Sequence, residues 1–249
     1  SNTLTWTGSA ETDGGKFSIT GSGQNDTIIG GSGTDTLTFT DAGGATNELN
    51  NVTTVETITL GNAATAVTTV DGLVASGATL TVDGSALSGN ALTFDGALEA
   101  DGKFSITGGD AADAITGGAG NDSISGGAQN DTITGNAGAD SITAGTGDDR
   151  LLGGNDGDTF VLAANLTSAD TVTGGSGTDT LTFTDAGGAT NDLNNVTTVE
   201  TITLGDAATN VTTVTALVTG TNTLTVSASA LTGSNTLTWT GSAETDGGK

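Results

Sequence analysis

Five residue types are missing from this 249-residue sequence: cysteine, histidine, proline, methionine and tyrosine. Without histidine or cysteine there is no Ser-His-Asp or Cys-His catalysis, no imidazole base and no zinc site of the usual kind. Positive charge is also scarce. Lys16, Lys103, Arg150 and Lys249 face 29 acidic side chains, for a net charge of -25. Four scattered cations do not neutralise a run of phosphates, so nucleic acid is excluded as a partner. No apolar run is long enough to span a bilayer, and no signal peptide starts at Ser1. The chain does not begin with methionine, so it reads as a piece of something longer or something processed. Aromatics make up 3% and hydrophobics 33% of the residues, which is lean for one large globular core.

Glycine, by contrast, fills 42 positions and threonine 53. Short apolar triplets recur throughout, unlike in a disordered tail. Regular short strands feeding a lean core point to a solenoid, in which each coil buries a little against the next. The absence of proline suits stacked strands, because proline cannot donate to a ladder.

The chain repeats itself on two scales. Ser1–Lys16 recurs unchanged as Ser234–Lys249, and Gly30–Thr65 recurs nearly unchanged as Gly174–Thr209. Ser85–Gly109 matches Ser229–Lys249 more loosely. One period therefore holds two related halves plus an insert, and the shared ends imply a tandem array. Between Gly108 and Val161 the insert reads GGDAADAIT, GGAGNDSIS, GGAQNDTIT, GNAGADSIT, AGTGDDRLL, GGNDGDTFV. Position six is always aspartate: Asp113, Asp122, Asp131, Asp140, Asp149 and Asp158. Position eight is always apolar, from Ile115 to Phe160. Three further units, Gly21–Ile29, Gly30–Thr38 and Gly174–Thr182, add Asp26, Asp35 and Asp179.

The spacing has a mechanism. Glycines permit tight turns whose carbonyls face inward. The triplet that follows alternates polar, apolar and polar, as a very short strand with one buried side chain should. Two units make one coil, so units 108 and 126, 117 and 135, 126 and 144, and 135 and 153 should stack. Stacked turns would offer carboxylates and carbonyl oxygens, an all-oxygen cage for a hard, large cation. A lone unit would favour a turn aspartate capping its own backbone. Six in phase favour a metal, because a row of carboxylates without cations repels itself.

The pattern GGxGxDx(apolar)x resembles the RTX, or haemolysin-type, calcium-binding repeat family. The resemblance implies an all-β fold, a right-handed parallel β-roll or β-solenoid, and several bound calcium ions. Units 30–38, 117–125 and 174–182 keep every GGxGxD position. Gly31 and Gly33, Gly118 and Gly120, and Gly175 and Gly177 therefore join the nine aspartates as the expected metal-holding set. Other units depart from the pattern at Ser22, Gln24, Ala111, Gln129, Asn136, Ala144 and Asp156. NNVTTVETITLG (50–61), ATLTVDGSALSG (78–89) and the run from Asp158 to Phe183 resemble spacers of bacterial surface-layer proteins and RTX adhesins.

The spacers read as strands at Leu37–Thr40, Val55–Leu60, Val67–Val70, Leu80–Val82, Leu92–Phe94 and Phe104–Ile106, with equivalents in the second half. Asp71–Ser76 and Thr215–Val218 hint at a helical turn. Three segments follow: a half-repeat over 1–103 with a short pair of nonapeptides at 21–38, the insert over 104–161, and a second half-repeat over 162–249. The expected role is a structural, non-catalytic unit of an extracellular bacterial fibre, surface layer or adhesin stalk. Its partners would be further copies of itself and a cell surface, with no membrane span. The resemblance also implies type I secretion by a C-terminal signal outside this segment. One rival is the secretion and folding module of an RTX enzyme or toxin. Another is an ice- or ligand-binding adhesin region, for which Thr3-Thr5-Thr7, Thr36-Thr38-Thr40 and Thr180-Thr182-Thr184 would supply a hydroxyl array. Glu56 and Glu200 could form a catalytic carboxylate pair, but residues copied with their whole repeat read as structural. Trp6 and Trp239, in the repeated LTWT strand, read as core or stacking residues.

Overall fold

The computed structural model describes residues 5–7, 16–18, 27–39, 49, 51–164, 166–184, 193–207, 209–212, 223–233 and 235–240. Asp26, Thr215–Val218 and the greater part of the two identical end segments lie outside them. Among the described residues every regular element is a short β-strand and every strand pairing is parallel. Among the described residues no helix is long and apolar enough to cross a membrane.

Each strand pairs with the next but one in the chain, so the backbone winds as a β-solenoid. The longer sheet has 11 strands, from Lys16–Ser18 to Thr225–Ser227. The facing sheet has 7, from Thr65–Thr68 to Val196–Thr197. The ladder runs through Lys103–Thr107, which pairs with Thr79–Asp83 on one side and Ser123–Ala128 on the other.

Period two fills the interior. In Ser141–Thr146 the burial alternates strictly over the first four residues, with Ile142 and Ala144 inside. Position eight of the nonapeptides forms two apolar files. Ile124 pairs with Ile142, Ile142 with Phe160 and Phe160 with Leu181. Across the core, Ile115, Ile133, Leu151 and Val172 do the same.

Coil size follows the repeat. Ser123 pairs with Ser141 and Ser141 with Thr159, an 18-residue step. Thr36 to Thr57 is a 21-residue step, and Thr57 to Thr81 is longer still. The wider coils need more filling, and the added turns supply it with buried Leu73, Val74 and Leu87. Phe94 and Phe104 meet edge to face at 5.1 Å beside the insert, where the coils narrow. The segment Asp71–Ser76 is a plain turn, with Leu73 N donating to Val70 O, rather than a helix.

The two sheets differ on their outer faces. Along the longer sheet one file reads Thr36, Thr57, Thr81, Ser105, Ser123, Ser141, Thr159, Thr180, Thr201, Thr225. All are hydroxyl side chains. On the facing sheet the equivalent files are broken by Ala66, Ala114, Arg150 and Leu152.

Candidate metal centre

Position six of each nonapeptide is the last residue before a strand, where an aspartate carboxylate can reach backbone N–H groups. The reach is from coil to coil. Asp113 N donates to Asp131 Oδ1 at 2.8 Å, and Asp131 N to Asp149 Oδ1 at 2.8 Å. On the other side Asp122 N donates to Asp140 Oδ1 at 2.7 Å, Asp140 N to Asp158 Oδ1 at 2.9 Å, and Asp158 N to Asp179 Oδ1 at 2.8 Å. Two carboxylate ladders therefore run along the solenoid. Every aspartate in them is at most 3% exposed.

The second oxygen sorts these aspartates. Asp113 Oδ2 accepts Gly109 N, and Asp122 Oδ2 accepts Gly118 N, both at 2.7 Å. From the third unit on, position two turns left-handed, at Gly127, Asn136, Gly145 and Gly154, with φ between 84° and 127°. In these units the Oδ2 atoms of Asp131, Asp140 and Asp158 have no hydrogen-bond partner although buried. Asp179 Oδ2 and both oxygens of Asp35 are in the same state.

Each free oxygen faces a cradle kept open by glycine. A Cβ on Gly126 would run into Asp131 Oδ2 and Ala144 O. On Gly135 it would meet Asp140 Oδ2 and Gly153 O, and on Gly153 it would meet Asp158 Oδ2 and Gly174 O. A carboxylate from one coil and a carbonyl from the next thus converge on one small space. In the fifth unit position one is Ala144, so a buried methyl stands where the others have hydrogen. Gln129, Asn136 and Asp156 hold φ of 68°, 84° and 70°. Each such residue costs about 1–3 kcal/mol, tolerated where the surroundings over-determine it. The departures from the consensus at these positions leave the loop shape intact.

Electrostatics point the same way. Burial raises the pKa of Asp113, Asp122, Asp149 and Asp179 above the ordinary carboxylate range. Asp131 is pushed up to about 7 by burial, then by its neighbours Asp113 and Asp149. Asp140 is pushed to about 8 by burial and by Asp122, Asp158 and Asp156. Asp158 reaches about 6 by burial and by Asp179 and Asp156. A buried carboxylate with an unmet oxygen needs either a proton or a cation. The donors here are all oxygen, and they fit calcium. Calcium, when bound, supplies the charge that lets these carboxylates ionise inside the stack.

A family model for the RTX calcium-binding nonapeptide repeat matches four times, over residues 18–39, 107–140, 125–160 and 167–183. These nonapeptides are RTX calcium-binding repeats. No curated protein and no solved structure matches the chain.

Among the glycines of the expected RTX set, Gly31, Gly33, Gly175 and Gly177 are left-handed, whereas Gly118 and Gly120 are not. Asp26 lies outside the described residues. The ladders also extend beyond the nonapeptides. Asp149 N donates to buried Asp170 Oδ1 at 2.7 Å, Asp35 N to Glu56 Oε2 at 2.8 Å, and Asp179 N to Glu200 Oε2 at 2.9 Å. Asp170, Glu56 and Glu200 continue the RTX ladder without its glycine loop. One signal would have found them: each opens a carboxylate-Thr-apolar triplet, Asp170-Thr171-Val172, Glu56-Thr57-Ile58 and Glu200-Thr201-Ile202. Glu56 and Glu200 are therefore ladder residues, not a facing catalytic pair. Outside the ladders, Asp71, Glu99 and Asp101 bring carboxylate oxygens within 4.8 Å of one another. Buried Glu99 already accepts Val74 N and Gly102 N, so backbone donors meet its charge.

Proposed function

We propose that this RTX β-solenoid is a structural unit of an extracellular bacterial fibre, surface layer or adhesin stalk, stacked end to end on further copies. RTX repeats occur in secreted bacterial proteins. Extracellular calcium sites work at roughly 10⁻⁴–10⁻³ M, so such a unit stays loose inside a cell and sets outside it. A solenoid whose described nonapeptides each bury one apolar side chain and one ladder aspartate suits a structural role.

The observation that carries the stacking is the shared end segment. Thr5–Thr7 pairs on its following side, with Thr27–Ile29. Its copy, within Leu237–Thr240, pairs on its preceding side, with Thr209–Thr212. Among the described residues each copy pairs on one side, and the two sides are opposite, which supports reading the segment as one interior strand of a continuous stack. Open edges recruit strands of the same cross-section. The test is a chain of two periods, overlapped at the shared 16 residues. In calcium it should scatter X-rays as one rod of doubled length and melt above the single unit, as nearest-neighbour coupling requires. Two flexibly joined beads with the melting point of one unit would overturn the reading.

The hydroxyl file supports a second reading, binding to ice. Neighbouring strands space its side chains about 4.8 Å apart. In a chain of net charge -25, the file begins at Lys16 and then carries no charge over the next ten strands. The neighbouring outer file of the same sheet is broken by Asp83 and Val161, so the reading rests on this one file. Ice recrystallisation assays in calcium test this. Thr180→Lys with Thr201→Lys should abolish any inhibition, and Thr132→Lys with Thr171→Lys on the facing sheet should not. A wild-type chain without inhibition removes the reading.

A further inference from the structure

Two coils at the edges of the nonapeptide pattern hold a feature that the pattern does not contain. Units 30–38 and 174–182 are each followed by the spacer NNVTTVETITLG instead of another nonapeptide. The strands stack Thr36 on Thr57 and Thr180 on Thr201. Glu56 thus stands over Asp35, and Glu200 over Asp179. We propose that this spacer forms the second wall of a calcium site at each place: Asp35, the Thr54 carbonyl and Glu56 in the first half, and Asp179, the Thr198 carbonyl and Glu200 in the second. The proposal rests on the reading of the aspartate ladders as calcium ligands and extends it to residues outside the repeat.

The spacer copies the repeat by different means. In the array, the carbonyl of Ala144 or Gly153 faces the cradle over the glycine one coil earlier. Here a Cβ on Gly30 would meet Thr54 O and Asp35 Oδ2, and a Cβ on Gly174 would meet Thr198 O and Asp179 Oδ2. The carbonyl is placed by a left-handed threonine, with φ of 52° at Thr54 and 51° at Thr198. A β-branched residue avoids that conformation unless held there. Its hydroxyl accepts the amide of the second glycine, Gly31 N at 2.9 Å and Gly175 N at 2.8 Å.

That last contact has a consequence for the aspartate. In the first two units of the insert the amide of the second glycine satisfies the aspartate's Oδ2. The threonine hydroxyl takes this donor away. Asp35 is fully buried with both oxygens unpartnered, and Asp179 is fully buried with Oδ2 unpartnered. A buried carboxylate oxygen with no donor aimed at it is costly to keep, and a cation in the cradle supplies what is missing. Glu56 and Glu200 add the second carboxylate that an aspartate of the next coil supplies in the array. The arrangement occurs twice in the chain with the same partners.

The test is calcium stoichiometry and affinity of the full chain, by native mass spectrometry and titration calorimetry. The variants are Glu56→Gln, Glu200→Gln and Asp140→Asn. Glutamine keeps an oxygen for the Asp35 or Asp179 amide, so circular dichroism should confirm an intact fold in calcium. Each glutamine variant should lose one ion or bind it about tenfold more weakly, and the double variant should lose two. Hydrogen exchange should show Thr57–Leu60 and Thr201–Leu204 losing their calcium-dependent protection while Ser123–Ala128 keeps it. If both glutamine variants bind calcium as the parent does while Asp140→Asn loses an ion, the spacer sites are wrong and the array reading stands. If the parent binds none, both fall.

Discussion

Chelating calcium with EGTA at neutral pH should abolish most of the far-ultraviolet β signal of this chain, and millimolar calcium should restore it. The reason is the thinness of the interior. Each nonapeptide buries one side chain at position eight, such as Ile133 or Ile142. Fully burying such a side chain gains about 1.5–3 kcal/mol, while ordering each residue's backbone costs about 1–2 kcal/mol. The rest must come from elsewhere, and the ladder makes matters worse without a cation. Asp131, Asp140 and Asp158 bring buried oxygens with no partner into the stack. Where a site exists only in the folded state, binding energy is folding energy. Two variants separate charge from shape. Asp140→Asn removes the carboxylate and should raise the calcium midpoint about tenfold or more. Gly135→Ala keeps every carboxylate but puts a methyl against Asp140 Oδ2 and Gly153 O, and it should weaken the response as strongly. A β signal unchanged in EGTA would sink calcium-dependent folding.

Much of this was legible in the sequence because a nine-residue period reports two things at once. Position eight gave the core files, and position six gave the ladders. The 18-residue stacking followed from two units per coil and is the register observed from Ser123 to Ser141. The spacer strands were legible by alternation. The expected Val55–Leu60 is the strand Thr57–Leu60, and the expected Phe104–Ile106 is Lys103–Thr107. The carboxylates that extend the ladders were harder to see. Asp170, Glu56 and Glu200 sit in segments without the glycine loop, and their roles depend on what the coil before them presents. Likewise, Asp113 and Asp131 look alike in sequence. Only the direction of the neighbouring amide, toward Asp113 at Gly109 and away at left-handed Gly127, distinguishes them. That direction is set by the coils on either side, and no local pattern records it.

In calcium-stripped buffer, acid should stabilise this protein. The ladder aspartates bind protons more tightly folded than unfolded, because burial raises them, Asp131 to about 7, Asp140 to about 8 and Asp158 to about 6. Below about pH 4, the ordinary aspartate range, both states are protonated and the full contribution is present. As the pH rises through 6 to 8, the folded chain must give up protons that the unfolded chain lost earlier, and that stability disappears. The calcium-free β signal and its urea midpoint should therefore be greatest near pH 4 and fall away as the pH approaches neutral. With saturating calcium the ions replace the protons, so the slope should reverse and acid should destabilise by displacing them. The net charge of -25 also favours the acid side through general repulsion, so the slope alone does not isolate the ladder. Asp131→Asn with Asp140→Asn does. It changes the net charge by two but removes two of the three most strongly raised groups, and it should flatten the calcium-free slope far more than two exposed substitutions such as Asp95→Asn with Asp110→Asn. A calcium-free midpoint that rises with pH across this window would mean that the aspartates are not buried as the stack requires.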